Sequence, residues 1–191
     1  MKELVFLLEE ISAKAMLESL LPRILHTDIH HRFIPFEGKQ DMEKQLCKRL
    51  RGYLNPQTRF IVLRDLDSEP DCKKLKEKLT DYCQQAGQMN KTLIRIACRE
   101  LESFYLADLE AVGKALSIPR LTSYQNKSRF RKPDLLPNPS RELATLTKDY
   151  YQKISGSNAI GQFLDPENTR SSSFYHLIQG IRRMERELLK L

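Results

Sequence analysis

Carboxylates stand at three places in this 191-residue chain where their neighbours give them chemical interest. Glu9 and Glu10 end the apolar run Leu4 to Leu8, Asp65 and Asp67 follow Phe60 to Leu63, and Glu100 and Glu102 follow Leu93 to Cys98. Gathering two or three carboxylates raises their pKa values and is unfavourable unless a cation sits among them. Magnesium meets that need, because it is a hard ion that takes oxygen ligands and keeps waters and substrate phosphates in its shell; manganese can replace it. A metal held this way polarises a phosphodiester and acidifies a bound water, which is phosphoryl-transfer chemistry.

In extended backbone, residues i and i+2 point to the same side, so Asp65 and Asp67 are expected to present both carboxylates to one point. Asp-x-Asp alone is common in solvated loops. Its place directly after the clearest strand, matched by a carboxylate ending the first strand, gives it weight. One of Glu100 and Glu102 is open to a role as an outer or second-metal ligand, or both are first-turn acids of the kind the helix macrodipole favours. Glu69 and Asp71 fit that second description.

The elements that must position these groups alternate. Leu4 to Leu8 suits a strand buried on both faces of a parallel sheet. Ala13, Leu17, Leu20, Leu21 and Ile24 then fall at helical spacing, with a break expected at Pro22. Arg32 to Phe36 is a weaker strand, and Asp41 can cap a helix carrying Met42, Leu46 and Leu50. Phe60 to Leu63 precedes a helix with Leu75, Leu79, Tyr82, Cys83 and Ala86 on one stripe, and Leu93 to Cys98 precedes an expected helix from Glu100 to Leu116. Four strand–helix alternations predict an α/β fold with a parallel four-stranded sheet flanked by helices. In such sheets ligands bind where strands hand over to helices, which is where the carboxylates fall.

Residues 1–116 are thus the expected catalytic domain, and residues 117–191 a basic loop and helical C-terminal extension packed on it. Ser117 to Asn138 lacks a period and reads as a long loop. Asn138-Pro139 looks like a cap with proline at the first helical position. Leu143, Leu146, Tyr150 and Ile154 suggest one inner helix face, and Phe174, Leu177, Ile178, Ile181, Met184 and Leu188 another, with Ser171 to Ser173 as its cap.

The net charge of +7 favours an anionic partner. Between Pro119 and Lys153 eight cations face three acids, so much of the surplus lies there. Lys127, Arg129, Arg131 and Lys132 surround Phe130, a mixture suited to nucleic-acid backbone contacts and base stacking, although solvated basic loops are common. Cys47, Cys72, Cys83 and Cys98 form no Cys-x-x-Cys pair, so buried free thiols are expected. His26 and His30 lack a third ligand at sensible spacing and are expected at the surface. No apolar run is long enough to span a membrane and the start lacks a signal-like region, so the chain reads as cytoplasmic.

The segments VFLLEEISAKAMLESLLPRIL, FEGKQDM, IVLRDLDSEPDCKKLKEKL, IACRELESFYLADLEAV and SSSFYHLIQGIRRM resemble, in order and spacing, small bacterial Toprim-like proteins of unassigned function, often encoded beside an ATPase in defence loci. A Glu after the first strand and an Asp-x-Asp after the third also resemble the Toprim domains of topoisomerases, primases, recombination proteins and OLD-type nucleases. The resemblance implies a Toprim-like, Rossmann-like fold and a magnesium-dependent nuclease. Glu9, Asp65 and Asp67 would be the catalytic set gathered around the metal, Glu9 as the general acid or base and Asp65 and Asp67 holding the ion, and Glu102 would join them as a further ligand. It also implies a partner ATPase in anti-phage defence, since the chain has no Walker phosphate loop. The family has glycine after its glutamate where this chain has Glu10, which leaves Glu9 and Glu10 both open as the working residue. Glu37-Gly38 is a second Glu-Gly pair after the second strand. A decayed, regulatory Toprim module is the alternative. Asp-Leu-Asp also resembles the nucleophile motif of haloacid-dehalogenase phosphatases, but that motif belongs on a first strand.

Overall fold

The computed structural model describes all 191 residues. Four parallel strands, β1 (Glu3–Leu8), β2 (His30–Pro35), β3 (Thr58–Asp65) and β4 (Thr92–Ala97), form one sheet in the order β2-β1-β3-β4. Every residue of β1 is buried: Leu4 to Leu8 as an apolar run between two neighbouring strands requires, and Glu3 through its contacts with Arg32 and Thr58. β2 lies at an edge, which explains its polar sequence and tolerates Pro35, a residue with no N–H to donate. It begins at His30, two residues before the expected start.

Eight helices cover the sheet: α1 (Ile11–Leu20), α2 (Lys39–Arg51), α3 (Cys72–Gln85), α4 (Glu102–Leu106), α5 (Leu109–Ala115), α6 (Pro139–Leu146), α7 (Lys153–Gly161) and α8 (Ser172–Leu189). Alternation along the strands divides the core. Val5, Leu7, Phe60 and Val62 face α2 and α3, while Leu4, Phe6, Ile61 and Leu63 face α1 and the C-terminal helices. Segments after residue 116 belong to this second layer: Phe130, Leu143, Ile160 and Phe174 share one cluster with Phe6 and Leu63. No helix is long and apolar enough to cross a membrane.

Several boundaries differ from the sequence expectation. α1 ends at Leu20 and Pro22 sits in a 3-10 turn, as its missing donor suggests. α2 is capped by Gly38, and Asp41 instead accepts the Glu37 N–H from within the first turn. Asp71 is a true cap, accepting from Lys73 and Lys74. The expected helix from Glu100 to Leu116 is two, because Asp108 turns its carboxylate onto the Ala111 N–H and starts α5 afresh. The expected face through Tyr150 and Ile154 is also divided. α6 stops at Leu146, Lys148 and Asp149 adopt left-handed backbone (φ 50° and 61°), and Tyr150 points into solvent. Ser117 to Asn138, expected as a structureless loop, holds three 3-10 turns and buries Phe130. Of the cysteines only Cys83 is buried; Cys72 is exposed, and Cys47 and Cys98 are half-buried.

Candidate active site: a carboxylate rim at the strand switch

The chain leaves β1 towards β2 on one side and leaves β3 towards β4 on the other. Adjacent connections that diverge open a crevice at the strands' carboxyl ends. Glu9 follows β1 and Asp65 ends β3, so the two carboxylates lie at that switch point.

They are fastened together. Glu9 Oε2 accepts the Asp65 N–H at 3.0 Å, and the Glu9 N–H bonds the Leu63 carbonyl. Burial pushes the Glu9 carboxyl up to about 7; the Asp65 amide and the Arg64 guanidinium oppose that rise, and Asp67 and Glu10 add to it. Asp65 accepts the Leu101 N–H at 3.2 Å. Its carboxyl is raised well above the ordinary range by burial first, then by Glu10, Glu9 and Glu102. Glu102, buried at the start of α4, is raised mainly by burial and accepts the Tyr151 hydroxyl at 2.9 Å.

Asp67 reaches the rim differently from the expectation. β3 ends at Asp65, and Asp67 has left-handed backbone (φ 52°), so the i, i+2 rule of extended strands does not govern it. Its backbone is clamped to Arg99 on both sides, and its carboxylate lies 3.6 Å from Lys39 Nζ while still acting electrostatically on Glu9. Glu100 turns away from the rim to accept the Ser140 N–H at the start of α6, which leaves Glu102 as the member that faces it.

Glu10 does not strain the turn. Its backbone is extended (φ −146°), a conformation any residue adopts, so the glycine of the family pattern is not required here. The Glu10 carboxylate accepts from Ser12 Oγ at 2.5 Å and Lys153 Nζ at 2.6 Å. Glu37-Gly38 lies beside Glu9: Gly38, at φ 93°, donates its N–H to the Glu9 carbonyl, a backbone role.

Three cations at the site escaped sequence reasoning: Lys39, Lys153 and Arg64. Lys153, at the first position of α7, is 143 residues from its partner Glu10, and no local pattern could pair them. Arg64 left a signal: a charge inside a buried strand must be paired. It is 1% exposed, donates to Glu43 at 2.6 Å and holds Nε 3.7 Å from Glu9 Oε2, with no hydrogen-bond partner for Nε.

The donor set is all oxygen, which fits a hard divalent cation in kind. No three His, Cys, Asp or Glu side chains converge tightly enough to enclose an ion by themselves. Magnesium rarely needs such a cage, since one or two carboxylates with waters and phosphate suffice.

The remaining expected residues lie elsewhere. Arg129 pairs with Glu142, Lys127 stacks over Tyr124, Arg131 donates to the Asn126 carbonyl, and Lys132 is exposed. His30 opens β2 and His26 lies in the preceding turn, so the two do not share a helix. Ser171 caps α8, accepting from Phe174 and donating to Asp134.

A family model described as Domain of unknown function (DUF4276) matches residues 8–182. The chain belongs to this family. No curated protein matches the DUF4276 chain in sequence. Among solved structures, its fold is similar to the C-terminal region of the Burkholderia pseudomallei OLD protein, with a TM-score of 0.56 and 15% identity over 96% of this chain and 98% of that one. The C-terminal region of the Xanthomonas campestris pv. campestris OLD protein aligns over 97% and 96% at 14% identity, with a TM-score of 0.39 that adds nothing to the fold. At such identities the likeness is one of fold.

Proposed function

We propose that this protein is a divalent-metal-dependent nuclease of Toprim type that hydrolyses nucleic-acid phosphodiester bonds. The observation that carries the reading is that Glu9 and Asp65, at the ends of adjacent strands, are bonded together at the strand switch with both carboxyls raised. Crowded, buried carboxylates whose charged forms are disfavoured are what a cation at the strand switch would relieve. Asp65 and Asp67 would hold magnesium or manganese, with Glu9 and Glu102 completing the rim; when bound, the ion supplies charge neutralisation at phosphate and a more acidic water.

The chain's own groups account for the rest. Near neutrality Glu9 exists in both protonation states, which suits it to move a proton at its Oε atoms. Arg64 and the Asp65 amide fix its orientation. Lys153 offers an ammonium beside the rim for an incoming phosphate. Lys127, Arg129, Arg131 and Lys132 are proposed contacts to the strand. A separate ATPase partner and a cytoplasmic anti-phage setting are proposed on the sequence resemblance to Toprim-like proteins alone.

One observation favours a non-catalytic reading. Lys153, Lys39 and Arg64 lie against Glu10, Asp67 and Glu9, so the rim carries internal counter-charges. Incubation with plasmid and structured RNA in magnesium or manganese, alone and with the proposed partner ATPase, separates the two. The nuclease reading expects cleavage that both Glu9→Gln and Asp65→Ala abolish. Intact substrate under every condition supports a regulatory module, and turnover of a small phosphomonoester supports a phosphatase.

A further inference from the structure

Tyr150 is 70% exposed, yet the residues on either side of its turn are anchored. Thr147 is 1% exposed, donates through Oγ1 to the Leu143 carbonyl at 2.8 Å and accepts the Tyr151 N–H at 3.3 Å. Tyr151 is itself buried and reaches Glu102. Between these anchors Lys148 and Asp149 hold left-handed backbone without being glycine. They close the C-terminus of α6, where the Asp149 N–H bonds the Ala144 carbonyl and the Lys148 N–H the Thr145 carbonyl, so the helix end sets the turn. The turn keeps a rigid aromatic ring in water, next to the segment that enters the carboxylate rim.

The surroundings are specific. Lys153, three residues on, pairs with Glu10. Ile154 beside it and Ile11 beside Glu10 are 52% and 49% exposed, and none of these apolar side chains joins either core cluster. Single exposed apolar residues are ordinary, but these flank one ion pair in sequence on both of its sides. Lys148 and Lys153, two residues before and three after Tyr150, are also exposed, so cations flank the ring along the chain. That mixture takes a base on a ring and its phosphate on an ammonium.

We propose that Tyr150 is a stacking platform for an unpaired nucleobase beside the rim, so that the strand is taken single-stranded or locally unpaired. In a duplex the base faces are already stacked and cannot reach the ring. The proposal rests on the nuclease reading for its substrate class.

Fluorescence anisotropy with a labelled single-stranded oligonucleotide and its duplex, in calcium, tests it with the full chain. Tyr150→Ala is expected to weaken single-strand binding about tenfold and duplex binding less than about twofold, with Tyr150→Phe close to wild type and melting temperatures unchanged. Absence of single-strand binding, a Tyr150→Ala variant that binds like wild type, equal loss on both substrates, or a Tyr150→Phe variant as weak as Tyr150→Ala would each overturn it. Ring-dependent binding without cleavage in any metal retires the nuclease reading and leaves the platform. Cleavage of single strands by Tyr150→Ala at the wild-type rate retires the platform alone.

Discussion

The Glu9 carboxylate accepts the Asp65 amide at 3.0 Å, so one acid of the rim is tied to the backbone of the next. The bond holds Glu9 over the crevice but offsets only part of its burial, and the carboxyl stays near 7 against an ordinary 4.5. Between those values the folded protein binds more protons than the unfolded chain. Glu9 therefore opposes folding increasingly as pH rises through that window, and fully above it. Glu9→Gln should gain on wild type with rising pH, by up to about 3 kcal/mol. Urea denaturation at about pH 5 and about pH 8 checks this; an equal difference at both would contradict it.

Arg64 is buried between Glu43 and Glu9. Arg64→Met should destabilise the protein by about 2 to 3 kcal/mol, below the usual range for a broken buried pair because Glu43 keeps Lys78 and some solvent. Denaturant titration measures it, and a neutral substitution would mean that Arg64 is replaceable packing.

α7 approaches α1 so closely at Gly161 that an added Cβ would collide with the Met16 carbonyl oxygen. Backbone cannot yield as a side chain can. Gly161→Ala should therefore destabilise by about 2 to 3 kcal/mol, although alanine is otherwise the better helix former. A melting temperature at or above wild type would contradict this packing, and with it the support for Lys153 at the rim.

The Lys153–Glu10 pair is half exposed, so Lys153→Met should change stability by less than about 1 kcal/mol. Cleavage should nonetheless fall on the order of a hundredfold, as for a lost charge-stabilising donor. Plasmid nicking beside thermal melting separates the two effects, and Lys153→Arg should recover part of the rate. A rate within about twofold of wild type would remove Lys153 from the chemistry.

The sheet was legible because β1 and β3 carry continuous apolar runs, Leu4 to Leu8 and Phe60 to Leu63, buried on both faces, and α2, α3 and α8 because each buries one stripe. The acids at the ends of β1 and β3 could be placed at the crevice from that pattern alone. The breaks at Asp108 and at Lys148-Asp149 could not, since neither contains glycine or proline and both are set by side-chain hydrogen bonds or tertiary anchoring. Asp67 was assigned to the rim on an extended geometry it lacks. Lys153 was counted as one more cation in a basic stretch, because only folding brings α7 to Glu10.

The central claim is that the carboxylates at the strand switch bind a divalent cation, and manganese titration followed by electron paramagnetic resonance tests it most directly. Wild type should bind manganese at a saturable site that magnesium displaces, with Asp65→Asn and Glu9→Gln each weakening it at least about tenfold. Manganese binding that neither substitution alters, or no binding by the folded wild-type protein, would contradict the account.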